Sequence, residues 1–208
     1  MTKTNSTYRE KVQIHLLESV KVKQLAVEKC MNSILQAARL IIETFLSGNK
    51  ILICGNGGSA AESQHLAGEF ICLLNKDLNR PGLPAIALTT DTSVLTAYSN
   101  DSGFEGVFER QVQALGKAGD LLIGLSTSGN SKNVIKAVQH AKSLNINTLA
   151  LIGNGGQLQK MADVVISVPS SNTQYIQEAH LSIDHALCEI VEHYLFIEKE
   201  ERKKELWS

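Results

Sequence analysis

Apolar residues recur at steps of three and four along the N-terminal part of the chain, the spacing of one face of an α-helix. The pattern runs from Tyr8 to Leu46 and predicts two helices with a break near Lys23. Gly48 follows the last periodic residue, and glycine is a common C-terminal stop. The periodic positions are Val12, Leu16, Val20, Val27, Met31, Ile34, Ala38, Ile41 and Phe45.

After Gly48 the pattern changes to short apolar runs that alternate with helical segments. Such runs are typical of strands buried on both faces of a parallel sheet, and the alternation indicates βαβ units. The predicted strands are Ile51–Cys54, Ala85–Thr89, Asp120–Ser126, Asn147–Ile152 and Val164–Val168. The predicted helical segments are Ser59–Leu74, Ser93–Leu115, Val134–Leu144, Gln157–Met161 and Thr173–Phe196.

These elements predict an α/β fold, a three-layer αβα sandwich with a five-stranded parallel sheet, because right-handed crossovers place helices on both faces. We expect a single domain over residues 1–208, with N-terminal helices at 1–48, the αβα core at 49–197 and a charged tail at 198–208. A solvated helix end is favoured over a binding tail for that last segment.

Charge and composition narrow the class of protein. Lys and Arg total 20 against 21 Asp and Glu, so the chain has no basic excess for general nucleic-acid binding. No apolar run reaches the roughly 18 residues of a membrane span, and Met1–Arg9 is polar rather than signal-like, so we expect a cytoplasmic protein. The cysteines are scattered without a CxxC pair, which favours packing over disulfides or a cysteine zinc site. They are Cys30, Cys54, Cys72 and Cys188.

Two predicted βα turns carry small polar residues where ligands bind in a parallel sheet, at the carboxyl ends of strands. Gly55–Ser59 ends with a serine that could cap the next helix, and Ser126–Ser131 carries four hydroxyls. Free N–H groups at a helix start and hydroxyl donors favour a phosphate. Ala60 and Asn130 depart from the two common nucleotide-binding motifs, which favours a sugar phosphate.

Candidate metal ligands lie on two predicted helices. His65 and Glu69 are four residues apart and share a helical face, while the last helix carries Gln177 and His185 on roughly one side. Two interpretations remain open from spacing alone. The residues could hold a divalent metal, with zinc favoured by the imidazoles, or the histidines could be packing residues on amphipathic helices.

Five motifs resemble the sugar isomerase (SIS) domain family and, more closely, its phosphoheptose isomerases, over nearly the whole chain after the N-terminal helices. The resemblance implies a flavodoxin-like SIS fold. It also implies conversion of sedoheptulose 7-phosphate to D-glycero-D-manno-heptose 7-phosphate through an enediol, for bacterial lipopolysaccharide precursors. The motifs are Cys54-Gly-Asn-Gly-Gly-Ser59, His65-Leu-Ala-Gly-Glu69, Ser99-Asn-Asp-Ser-Gly-Phe104, Ser126-Thr-Ser-Gly-Asn-Ser131 and Ile176-Gln-Glu-Ala-His180.

The same resemblance implies roles for individual residues. Glu69 and His185 would be the acid/base pair, and the family forms homotetramers with active sites between subunits. We expect the N-terminal helices and the last helix to form that interface. One zinc ion per subunit would be bound by His65, Glu69, Gln177 and His185. Substrate would be contacted by Asn56, Gly57, Gly58, Glu69, Asn100, Asp101 and Gln177, and its phosphate by Ser126, Thr127, Ser128 and Ser131.

Four positions depart from the family pattern. Leu73 and Tyr175 replace common arginines, Gln174 replaces an aspartate found in some members, and Glu62 replaces Asp. Two alternatives remain open. One is a non-catalytic SIS protein, either a sugar-phosphate-sensing regulator or a replication-initiation partner, in which the intact acid/base pair would have no use. The other is an isomerase of a different sugar phosphate.

Overall fold

The computed structural model describes residues 3–198, with side chains from residue 7 onward. The predicted charged tail therefore lies outside the described residues, apart from Glu198. The α-helices are α1 (Lys3–Leu46), α2 (Gly58–Ile71), α3 (Thr92–Ser102), α4 (Val107–Leu115), α5 (Lys132–Ser143) and α6 (Thr173–Glu192). The strands are β1 (Ile51–Cys54), β2 (Ala85–Ala87), β3 (Leu121–Ser126), β4 (Asn147–Ile152) and β5 (Val164–Ser167).

All five strands are parallel, in the order β2-β1-β3-β4-β5. This is the flavodoxin-like order, in which the connections reverse direction between β1 and β3 and leave a crevice at the carboxyl ends of those strands. The glycine-rich turn follows β1, and the serine-rich turn follows β3. The predicted α/β fold class is confirmed, and the topology places the two candidate turns side by side.

Alternate strand residues feed two separate cores. One core packs the sheet against α1, α2 and α6, with Ile53 and Ile123 at its centre. The other packs the opposite face against α4 and α5, with Leu52 and Leu122 pointing that way. This period of two produces the three layers, because adjacent residues of a buried strand face opposite helices.

The N-terminal region is a single helix, so the predicted break near Lys23 is wrong. No proline or glycine occurs between Lys3 and Leu46. The gap in the pattern between Val20 and Val27 is seven residues, close to two full turns, which one helix bridges without losing its phase.

The apolar periodicity of α1 belongs to two faces rather than one. One face is buried against β5 and α6 and includes Val22, Ala26, Cys30, Ile34 and Ile41. The other is exposed, and we call it the outer stripe. It consists of Tyr8, Val12, Leu16, Val20, Val27, Met31 and Leu35.

Other differences are local. A short 3₁₀ helix at Phe104–Gly106 separates α3 from α4, and the last helix changes to a π-helix over His193–Glu198. Cys72 is exposed, so the packing role predicted for it is wrong, whereas the other three cysteines are buried. None of the helices in the described part of the chain has the length and apolar character needed to cross a membrane.

Candidate active site

The glycine turn after β1 begins α2 without a side-chain cap. The N-cap residue is Gly57, at φ +56°, a left-handed conformation that favours glycine. Ser59 lies inside the first turn and is buried, so its predicted capping role is wrong. A Cβ at Gly58 would lie 2.4 Å from Nε2 of Gln177, so the absent side chain leaves the space that the Gln177 amide occupies.

Three of the four predicted metal ligands converge where α2 meets α6. His65 Nε2 lies 2.8 Å from His185 Nε2 and 3.5 Å from Glu69 Oε1. One donor atom from each of the three residues lies within 4.8 Å of the others. His65 and Glu69 are neighbours through the four-residue helical repeat, whereas His185 comes from a helix 120 positions later in the chain.

A cavity of about 350 Å³ opens beside this cluster. His65 and Gln177 both line it, so the fourth predicted ligand shares the cavity with one of the other three. The full lining is Gly58, Ala61, Glu62, His65, Gln177, Glu178 and Leu181.

The donor set fits a metal ion such as zinc. The two Nε2 atoms that face each other at 2.8 Å can each offer a lone pair to a metal ion when their rings are neutral and protonated at Nδ1, and the Glu69 carboxylate lies next to them. Imidazole and carboxylate ligands are those that zinc takes in proteins, and the side-chain oxygen of Gln177 is a further candidate.

The serine-rich turn after β3 brings three of its hydroxyls together, and one of them, Ser128 Oγ, also accepts the backbone N–H of Asn130 at 3.1 Å. Ser126 Oγ lies 2.8 Å from Ser131 Oγ and 3.5 Å from Ser128 Oγ. Ser131 is the N-cap residue of α5, yet its side chain makes no capping hydrogen bond. Thr127 is half-buried in the same turn. A cluster of hydroxyls at a helix start without a side-chain cap is suited to an anion.

Asn56 connects the glycine turn after β1 with the serine turn after β3 through hydrogen bonds of its side chain. Its side-chain amide exchanges two hydrogen bonds with Asn133 near the start of α5, at 2.9 and 2.8 Å. Asn133 was not among the predicted site residues, and it is buried. This amide pair fixes the glycine turn relative to the serine turn, across the crevice between β1 and β3.

Asn100 and Asp101 do not line the cavity beside His65. Both are exposed on α3, where the Asn100 amide donates to Asp101 Oδ1 at 2.8 Å. Asp101 instead lines a separate cavity of about 910 Å³ between α3 and α4, together with Arg110. Within one chain, these two predicted substrate contacts line no cavity with His65, one of the three residues that converge between α2 and α6.

A buried pair of carboxyl groups, missed by the sequence analysis, lies next to the cluster. Glu62 of α2 and Asp184 of α6 face each other, and no other described hydrogen-bonding group reaches either carboxyl. Burial raises the pKa of both groups, and the Asp184 charge raises the pKa of Glu62 further. Two carboxylates so close in a low-dielectric site cannot both ionise, so the pair retains a proton.

Tyr175, one of the departures from the family pattern, packs against α1. Its ring centroid lies 5.0 Å from that of His15. His15 Nε2 also lies 2.9 Å from Glu178 Oε1, and Ser19 donates to the other carboxylate oxygen. The Ser19 hydrogen bond is the main cause that lowers the pKa of Glu178. Because Glu178 lines the cavity, α1 helps to set one of its walls.

Comparisons with known proteins agree with this geometry. The SIS domain family matches residues 15–153. The phosphoheptose isomerase of Aneurinibacillus thermoaerophilus is 49% identical over 191 residues, which cover 90% of this chain and 96% of that protein.

Two solved structures have the same fold over their full length. The phosphoheptose isomerase of Neisseria gonorrhoeae is 45% identical with a TM-score of 0.84, covering 89% of this chain and 98% of that one. The enzyme of Francisella tularensis is 37% identical with a TM-score of 0.86, covering 93% and 100%. The chain therefore belongs to the phosphoheptose isomerase family of SIS-domain proteins.

Proposed function

We propose that this protein is an aldose–ketose isomerase that converts sedoheptulose 7-phosphate to D-glycero-D-manno-heptose 7-phosphate. The observation that carries the proposal is the convergence of His65, Glu69 and His185 beside a cavity at the α2–α6 contact. Relatives that match about nine-tenths of the chain are phosphoheptose isomerases, which supports the substrate class.

The serine turn is the phosphate site in this proposal. Ser126, Thr127, Ser128 and Ser131 supply hydroxyls, and α5 contributes the N–H groups of its first turn. Binding of the phosphate fixes the far end of the sugar, so that the reacting carbons are held near the α2–α6 contact. Gly57 and Gly58 let the backbone of the other turn approach the sugar closely.

Glu69 and His185 carry the proton transfers. Glu69 takes a proton from C1 of the ketose while His185 gives one to the carbonyl oxygen at C2, which forms the enediol. Return of a proton to C2 and removal of one from the C1 hydroxyl then give the aldose. One Glu69 oxygen is directed at His65 at 3.5 Å, and the second remains for this chemistry.

A zinc ion held by His65, Glu69, Gln177 and His185 fits the donor set. When bound there it would supply a Lewis acid that steadies negative charge developing on the substrate oxygen. Glu69 and His185 thus have two roles, as metal ligands and as the acid/base pair. When a mutation of either residue lowers activity, the metal content of the variant must also be measured, to separate loss of the metal from loss of the proton transfer.

We propose that the protein assembles as a homotetramer through α1 and α6. The outer stripe exposes apolar side chains over seven turns of α1, from Tyr8 to Leu35. Large exposed apolar patches on a protein surface usually mark an interface with another protein. Assembly also offers a role to Asn100 and Asp101, which would reach the active site of a neighbouring subunit. Light scattering at micromolar concentration tests this, and a stable monomer would contradict it.

The decisive experiment is an isomerase assay of purified protein. Sedoheptulose 7-phosphate should be the preferred substrate when compared with five- and six-carbon ketose phosphates. A higher kcat/KM on a shorter sugar would favour the isomerase of another sugar phosphate, and no turnover on any of them would favour the non-catalytic SIS protein. We further propose a cytoplasmic enzyme that supplies heptose precursors of lipopolysaccharide. Deletion of the gene should then remove heptose from the cell envelope.

A further inference from the structure

The side chain of Arg80 is fully buried in the segment between α2 and β2. It donates from Nη2 to the backbone oxygen of Glu69 at 2.8 Å and from Nη1 to those of Phe70 at 2.9 Å and Pro81 at 3.0 Å. The carbonyl groups of a helix's last turn have no partner inside the helix. Arg80 therefore binds the end of α2 at the very residue whose side chain belongs to the metal-ligand cluster.

The partner of this guanidinium lies on the other helix of the site. Arg80 Nε donates to Glu192 Oε1 of α6 at 2.8 Å. The Glu192 carboxylate also accepts the backbone N–H groups of Leu74 at 3.0 Å and Asn75 at 3.1 Å, in the segment that follows α2. Together these contacts form an Arg80–Glu192 clamp between the end of α2 and α6.

The clamp lies along the same helix pair that brings the ligand cluster together. Glu192 follows His185 on α6 by seven residues, about two helical turns or 10 Å. A buried ion pair often contributes little net stability compared with apolar residues of similar volume, since both charges lose their hydration. Its multiple hydrogen bonds do constrain geometry, and here they connect the backbone oxygen of Glu69 to α6, the helix that carries His185.

We propose that Arg80 is a positioning residue, which with Glu192 holds Glu69 at the distance from His65 and His185 that metal binding and proton transfer require. The inference rests on the proposed function for its catalytic part. The proposal also predicts a change in metal affinity, and this can be measured without a substrate.

The chain offers a matched control at the opposite end of the sheet. Asp120 is also fully buried and paired, with Lys50 Nζ at 2.5 Å, and accepts the backbone N–H groups of Lys50 and Lys117. This pair precedes β1 and β3, at their amino ends, whereas the ligand cluster lies toward the carboxyl ends. Asp120→Asn therefore weakens a comparable buried pair without touching α2 or α6.

Three proteins are compared with wild type: Arg80→Met, Arg80→Lys and Asp120→Asn. Each is tested for free energy of unfolding in urea, for Zn²⁺ affinity by competition with a chromophoric chelator, and for kcat and KM. All three should be less stable. Only the Arg80 variants should bind Zn²⁺ about 10–100-fold more weakly and lose kcat by a similar factor, with KM little changed. Arg80→Lys keeps the charge and should retain more of both than Arg80→Met.

Wild-type Zn²⁺ affinity and kcat in folded Arg80→Lys would overturn the proposal, and so would an equal loss in Asp120→Asn. If Arg80→Met does not fold, Arg80→Lys still decides. A wild type that binds Zn²⁺ but isomerises no sugar phosphate would contradict the proposed function alone, and the affinities would still test the clamp. A wild type with neither property would overturn both.

Discussion

Substituting Gly58 with alanine adds one atom, the Cβ, to the wall of the cavity and tests whether the position of Gln177 matters for function. The added Cβ would lie 2.4 Å from Nε2 of Gln177 and 2.8 Å from its Cδ and Oε1, whereas ordinary contact begins near 3.4 Å. The Gln177 amide must therefore move by about 1 Å, a shift that the end of a flexible side chain can make at small cost. The perturbation falls on the position of a proposed metal ligand and not on the fold.

The expected effect is large on activity and small on stability. A displacement of about 1 Å in a positioned group can cost about 10²-fold in rate, which corresponds to about 2.7 kcal/mol of transition-state stabilisation. We expect kcat/KM of Gly58→Ala to fall by about that factor and its Zn²⁺ affinity to fall as well. Its free energy of unfolding should stay within about 1 kcal/mol of wild type.

Gly68→Ala is the matched control, because it makes the same change in the same helix. Apart from its chain neighbours and the backbone of its own helix, no atom of the described residues lies within 4 Å of a Cβ placed at Gly68. Alanine inside a helix is more favourable than glycine by about 0.5–1 kcal/mol, so this variant should be slightly more stable and fully active. Gly58→Ala with wild-type kcat/KM and Zn²⁺ affinity would refute the placement of Gln177 in the active site.

Three further predictions concern catalysis, assembly and pH. Glu69→Gln should stop incorporation of solvent deuterium at the carbon next to the carbonyl while sugar phosphate still binds, measured by NMR; exchange at the wild-type rate with metal retained would assign the base elsewhere. Leu16→Glu, in the outer stripe, should dissociate the tetramer in sedimentation without lowering helix content, whereas an unchanged mass would remove the stripe from the interface. Burial lowers the pKa of His180 from 6.5 to about 4, so the unfolded chain takes up a proton at a higher pH than the folded protein does. The free energy of unfolding should therefore fall as the pH falls from 6.5 to 4, by up to about 3 kcal/mol. Urea unfolding at pH 7 and pH 5 should show wild type losing about 2 kcal/mol more than His180→Gln, and equal losses would show that His180 is not buried in its neutral form.

The sheet could be predicted closely because parallel strands buried on both faces are continuous apolar runs. β1 and β4 begin and end where predicted, and the other three strands differ by one or two residues at one end. The prediction of two N-terminal helices is wrong because the two apolar faces of α1 overlap in sequence. The seven-residue step from Val20 to Val27 in the outer stripe then resembles an interruption. Only the packing of α1 on β5 and α6 separates the faces.

Parts of the candidate site that are contiguous in sequence could be predicted from the residues, whereas contacts between distant residues could not. The serine turn is a contiguous motif, so its chemistry was visible in the sequence before the fold was known. His65 and His185 are 120 residues apart, and their 2.8 Å contact follows from no spacing rule. The expectation that they meet came from family resemblance. The same resemblance did not foresee that, within one chain, Asn100 and Asp101 would line no cavity with His65.

Three polar residues and one cysteine share a pattern on α6. His180, Asp184, Cys188 and Glu192 recur at four-residue steps, a polar stripe that would ordinarily mark a solvent-facing side of a helix. All four are buried. Charged and polar side chains are rarely buried unless they are partnered, and two of these have hydrogen-bond partners: His180 has the backbone oxygen of Ile152, and Glu192 has the Arg80 guanidinium. The Asp184 carboxyl faces that of Glu62 without a hydrogen bond to it. An apolar face of comparable volume would hold α6 against α2 with less desolvation cost. What the polar stripe adds is a fixed geometry between the two helices, which is what the proposed site, divided between Glu69 and His185, requires.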